Sequence, residues 1–310
     1  MKKKVKFLLK LAVSLLLLSW IVFRVDWNEA LFYLRSVSYP YLLLYAAAIA
    51  AGIAVSAYKW KILAGFRDIA ESYFYFFKLY LSGAFINNFM PSFLGGDAYR
   101  IYGLAGPEKK YAQAASSVVI DRLTGFVSVN LLVLFFGLLN FKDFLGSKVL
   151  MAAFGLNLLL FLAFISIFVL KASKIPLAGK ILGLAPRKVM SFVEEVMQYK
   201  KNSKVIWQAV GWGMAFNVLG VGIANYILFM ALGIEIGLLD FLSVIFLISI
   251  VSAIPVSVNN IGVKEWAYAV FFGAFSLNFS AVITAAMLGR LIQMLLSFAA
   301  LPAYLQSRKE

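Results

Sequence analysis

Asn87, Asn88, Pro91, Ser92, Gly95, Gly96, Asp97 and Arg100 fall within about four helical turns of an otherwise apolar stretch. Pro91, Gly95 and Gly96 break the helical ladder there and leave main-chain groups in need of other partners. The run from Asp97 to Tyr102 can start a helix whose first-turn amides point into the break, which suits a phosphate. Arg100 stands one turn from Asp97, and a guanidinium grips phosphate through two parallel hydrogen bonds. The plainer alternative is that Asp97 caps the helix, Arg100 is its i+3 partner, and Asn87 and Asn88 satisfy main chain.

A second break repeats these ingredients: Pro255, Asn259, Asn260, Gly262, Lys264 and Glu265. Lys264 and Glu265 are adjacent and therefore point to different faces of a helix, so that one can pair across a cavity while the other meets a ligand. Two further charged sites interrupt apolar runs. Asp121-Arg122 opens a long span, where it is either a charged helix end or part of a site. Arg290 lies about ten residues into the last apolar helix, where a lone guanidinium is costly unless paired or facing water.

The chain has no cysteine and no histidine. That removes disulfides, a thiol nucleophile, an imidazole base and the usual zinc ligands, so no catalytic residue, metal or cofactor is assigned. The formal charge of +15 falls in loops between apolar runs and not on a soluble basic face, which favours anionic lipid over nucleic acid as its partner.

The elements that position these residues are membrane helices. Apolar residues make up 63% of the 310-residue chain and charged ones 14%, against about half and a quarter in soluble domains. Apolar runs at 7–23, 41–57, 118–139, 149–170, 207–232 and 281–301 read as about six full spans. The first is read as a retained helix, since no small-x-small cleavage site precedes Arg24. Two broken-helix hairpins, 73–106 and 238–279, complete an all-α integral membrane protein with a single polytopic domain over 1–310.

Lysines at the N-terminus, Lys59, Lys61, Arg67 and the basic loop 171–204 place both termini in the cytoplasm. Within that loop, 186–199 has helical apolar spacing and reads as an amphipathic helix on the membrane surface. Three spans separate the hairpins, so the first is entered from the cytoplasm and the second from outside. Oppositely oriented, re-entrant hairpins of this kind form an inverted repeat, a recurring plan of secondary transporters.

In order along the chain, Asn88-x-x-Pro91-x-x-x-Gly95-Gly96-Asp97-x-x-Arg100, Val119-Ile120-Asp121-Arg122 and Ile254-Pro255-x-x-x-Asn259-Asn260-x-Gly262-x-Lys264-Glu265 resemble the lysylphosphatidylglycerol synthase transmembrane family. This is the flippase region of multiple peptide resistance factor and its stand-alone relatives, and the resemblance runs from about Lys6 to Leu305. The family often has Glu at the positions of Asp97 and Asp121, and more glycine where Asn259-Asn260 stands. The resemblance implies movement of a lipid, anionic, aminoacylated or polyprenyl-linked, between leaflets of the cell (inner) membrane. The last span ends close to Glu310, so no soluble aminoacyl-transferase domain is expected, and no lysyl-lipid synthesis by this chain alone.

Two other functions compete with transport. One is a membrane scaffold that docks a separate lipid synthase or glycosyltransferase through the basic loop. The other is a lipid-modifying enzyme using Asp97, Asp121 or Glu265 as base. Partners on these readings are a membrane lipid, a lipid-modifying enzyme or a second copy of the chain.

Overall fold

The computed structural model describes residues 2–90, 94–169 and 187–302, and these are helical without strands. Six helices are long and apolar enough to cross a membrane: Phe7–Arg24, Tyr39–Gly65, Tyr111–Leu139, Lys148–Ser166, Ser203–Ala231 and Phe279–Ala300. Exposed leucines such as Leu43, Leu138 and Leu159 stud their outer faces, as contact with lipid requires.

Helix α1 covers Lys2–Arg24 and a short α2 covers Trp27–Arg35, its start fixed by Asp26, which accepts from the amides of Asn28 and Glu29. Helix α3, Tyr39–Gly65, begins with Pro40 in its first turn, where a missing N–H costs nothing. Next come α4 (Tyr73–Phe89), α5 (Leu94–Ala105), α6 (Tyr111–Leu139), the six-residue α7 (Phe141–Gly146) and α8 (Lys148–Val169).

Helix α9 is Arg187–Tyr199. Helices α10 (Ser203–Phe216) and α11 (Ala224–Ala231) form one span joined by a π-helical stretch, Asn217–Ile223. Helices α12 (Leu238–Ala253), α13 (Val263–Gly273) and α14 (Phe279–Ser297) follow.

Two pairs of short helices fold back on themselves. Tyr75 donates from its hydroxyl to the Gly103 carbonyl and Asn87 accepts from the Gly96 amide, so α4 and α5 run antiparallel. Phe241 stacks on Phe272 at 5.3 Å and the Asn260 side chain bonds the Ser252 carbonyl, so α12 and α13 do likewise. At 1.5 Å per residue, the 17 residues of α4 and 16 of α12 span only about 25 Å, short of the ~30 Å hydrocarbon core.

The pairs sit toward opposite ends of the bundle. The first packs on the C-terminal part of α3, through Trp60 against Phe76 and Tyr80, and reaches the end of α14. The second packs on the C-terminal part of α6, with Phe136 against Phe246, and on the N-terminal part of α14. The largest core stands there, built on Phe229, Phe241, Phe246 and Phe272.

Two sequence expectations are corrected. Helix α3 continues to Gly65, so Lys59 is a buried intrahelical residue and not part of a loop. Helix α6 starts at Tyr111 and not near Val118, which puts Asp121 and Arg122 about three turns inside it. Helix α9 places Val196 and Tyr199 against Leu63, Ile120 and Ala209, and Glu195 pairs with Arg67. The part of the basic loop at 170–186 lies outside the described residues, as do Pro91 and Ser92.

Candidate functional site

The first break is held together by charge. Gly83 and Gly96 let the α4 and α5 main chains touch, since a Cβ on Gly83 would stand 3.1 Å from the Gly96 carbonyl oxygen. Asn87 does main-chain service, accepting from the Gly96 amide at 2.8 Å. Asp97 stands in the first turn of α5. It accepts from Nε and Nη2 of Arg122, both at 3.0 Å, and pairs with Arg100 at 3.3 Å.

Arg100 also meets Asp121 at 2.8 Å, and Asp121 binds the Lys59 ammonium at 3.0 Å. The Arg100 guanidinium lies 4.1 Å from the Trp60 ring and 4.3 Å from the Tyr80 ring, a sandwich that suits its weakly hydrated plane. Three cations thus share two carboxylates across α3, α5 and α6. Arg100 and Asp121 are buried, whereas the Arg122 side chain is 52% exposed and has a free face.

The second break uses backbone conformation. Helix α12 stops at Ala253, just before Pro255, as the restriction on residues preceding proline demands. Asn259, Asn260 and Gly262 have φ of 48°, 55° and 87°, in the left-handed region that Asn tolerates and Gly favours. A Cβ on Gly262 would also stand 2.7 Å from Leu17 Cβ, so α1 packs directly on the break.

Glu265 caps α13 by accepting from the Gly262 amide at 2.8 Å. Its other oxygen accepts from Arg290 Nε at 2.8 Å. The two Nη atoms of Arg290 donate to the carbonyls of Asn259 and Asn260 at 3.2 Å, replacing the helical partners those carbonyls lost.

Between the two breaks lies a cavity of about 500 Å³, walled by α3, α4, α6, the π-helical stretch, α12, α13 and α14. Arg122 and Asn88 face it from the first side, Asn260 and Lys264 from the second. Asn88 donates to the Ser297 hydroxyl at 2.5 Å, and Lys264 Nζ stands 5.6 Å from the Tyr268 ring centre. Tyr268 donates to Asn225, and Gln293 to Tyr45. Among the described residues its walls carry two cations and no carboxylate.

The residues singled out from sequence therefore separate into two sets. Asn88, Arg122, Asn260 and Lys264 line the cavity. Asp97, Arg100, Asp121, Glu265 and Arg290 stand behind the wall in ion pairs, and Asn259 offers its carbonyl to Arg290. Gly95 packs beneath Met90.

Sequence reasoning missed Lys59, Asn225, Ser252, Gln293 and Ser297 as site residues. Lys59 carried a signal, because three cations for two carboxylates at membrane depth needed a complete list of charges. The others are single polar residues in apolar helices and carried none.

The chain's likeness to known proteins agrees with this architecture. No curated protein and no solved structure matches it. Residues 7–300 match the family described as the lysylphosphatidylglycerol synthase TM region, a range that includes the six spans and both breaks. The chain is a multi-pass membrane protein with a lipid-related function, and it belongs to the lysylphosphatidylglycerol synthase TM-region family.

Proposed function

We propose that this protein carries a lipid with a phosphate-bearing headgroup from one leaflet of the inner membrane to the other. The headgroup crosses through the central cavity while the acyl tails remain in the bilayer. The observation that supports this most is the wall itself, with Arg122 and Lys264 at opposite breaks and no carboxylate among the described lining residues. Such a wall attracts a phosphate, and two separated cations give it successive stations.

The two short helix pairs act as re-entrant hairpins of opposite orientation, the halves of an inverted repeat. Their lengths and their placement toward opposite ends of the bundle support that reading. Lys61, Arg67, Lys109, Lys110, Lys200, Lys201 and Lys204 gather at the end where α3 finishes and α6 and α10 begin, which supports a cytoplasmic placement of that end. Transport is favoured over lipid chemistry because Asp97, Asp121 and Glu265 are each neutralised by Arg or Lys, leaving no free carboxylate among the described residues that line the cavity.

Purified protein in vesicles tests the proposal. Chain-labelled phosphatidylglycerol, followed by quenching of the outer leaflet, should equilibrate faster than in protein-free vesicles. R122A and K264A should slow it. A folded protein that accelerates no phosphate-bearing lipid refutes the proposal.

A further inference from the structure

Two polar atoms in the cavity wall have no partner among the described residues: the Ser252 hydroxyl and the side-chain carbonyl of Asn260. They are neighbours, because the Asn260 amide nitrogen donates to the Ser252 main-chain carbonyl. Asn260 is only 8% exposed, and a buried acceptor left unpaired is unfavourable. Lys264 follows four residues later on the same hairpin and faces the same cavity, with no carboxylate in ion-pair reach among the described residues.

These three groups make different demands. An ammonium only donates, a carbonyl only accepts, and a hydroxyl does either. Lys264 and Ser252 are met by a phosphate oxygen. Asn260 requires a donor, which a phosphate diester supplies only through a hydroxyl or an ammonium on its headgroup. An aminoacyl ester on that headgroup would bring an ammonium into a wall that already holds Arg122 and Lys264, and no described lining residue offers a counter-charge.

We infer that the cavity selects an anionic phosphodiester headgroup with free hydroxyls, and discriminates against the same headgroup once it is aminoacylated. The inference rests on the transport reading and names its substrate class. Phosphate binds between Lys264 and Ser252, the headgroup hydroxyl donates to Asn260, and Arg122 receives the anion on the other side of the cavity.

Three acyl-chain-labelled lipids in vesicles containing the full chain separate the terms: phosphatidylglycerol, phosphatidylmethanol and lysyl-phosphatidylglycerol. Phosphatidylmethanol keeps the charge and lacks the hydroxyls. It should exchange severalfold more slowly than phosphatidylglycerol, and the lysylated lipid about tenfold more slowly or worse. K264E should narrow or reverse the preference against the lysylated lipid, and K264Q serves if K264E does not fold by thermal unfolding in detergent. Equal rates for phosphatidylglycerol and its lysylated form overturn the inference and leave transport standing. No acceleration of any of the three by folded protein overturns both.

Discussion

Arg290 on α14 and Glu265 on α13 meet at 2.8 Å, and the same guanidinium holds the carbonyls of Asn259 and Asn260 at 3.2 Å. One side chain thus supplies the partners that a broken helix has lost. The break is stable because of a residue on another helix, about thirty positions away.

R290A should therefore behave as a structural mutation. It leaves a Glu265 carboxylate that is 5% exposed with the Gly262 amide but no counter-charge, and takes the guanidinium from two carbonyls in a low-dielectric interior. Removing one member of a buried pair costs about 3–5 kcal/mol, and a marginal membrane protein will show it as a large loss of thermal stability in detergent. R290K should recover only part, since an ammonium cannot reproduce the fork that spans Glu265 and both carbonyls. An unchanged melting temperature for R290A would contradict this account.

Arg100 and Arg122 touch the same carboxylate but should fail differently. Arg100 is enclosed by Trp60, Tyr80 and Asp121, so R100A should destabilise by about 3 kcal/mol. Arg122 is half exposed toward the cavity, so R122A should cost about 1 kcal/mol or less while lowering lipid exchange severalfold. Thermal unfolding and vesicle exchange on the same preparations give both numbers. The opposite ranking would show that Arg100, and not Arg122, is the headgroup contact.

The contrast between those arginines also marks what sequence could reveal. Apolar runs gave away all six spans, because lipid imposes length and composition on a helix whatever surrounds it. Pro255 and Gly262 disclosed the second break for the same local reason. Which charge faces the cavity is a property of packing: Asp97 is shared by Arg100 from three residues away and by Arg122 from another helix, and only folding decides that Arg100 turns inward. Lys59 was misplaced because α3 runs two turns past the apolar stretch, its charge satisfied by Asp121. The π-helical stretch at Asn217–Ile223 has no breaker but glycines that also suit close helix packing, so nothing in that run announces it.

Close packing at that stretch gives a third prediction. A Cβ on Gly52 of α3 would stand 2.8 Å from the Gly220 Cα, closer than real contacts permit. G52A and G220A should force α3 and the π-helical stretch apart, with an overpacking cost of about 1–3 kcal/mol. G155A, in the middle of α8 where an added Cβ meets nothing within 4 Å, should instead be neutral or stabilise by up to ~1 kcal/mol. Melting temperatures for the three variants in one detergent decide the matter, and equal effects would remove the packing explanation.

The last prediction concerns motion of the first hairpin. Its tip is docked on the end of α14 by the bond from Asn88 to Ser297 and by Phe85 and Phe89 against Phe298. A headgroup leaving toward that end of the bundle must pass this contact, so transport requires the tip to separate from α14. Because the chain has no cysteine of its own, N88C/S297C places a unique thiol pair at the contact. A short bifunctional thiol reagent should link the two within one chain, seen as a mobility shift that reductant reverses. Lipid exchange should fall toward the protein-free rate when the link is made and return on reduction, while the unlinked double variant keeps measurable exchange. Complete linkage with unchanged exchange would mean that the hairpin stays docked throughout the cycle and that the headgroup leaves by another route.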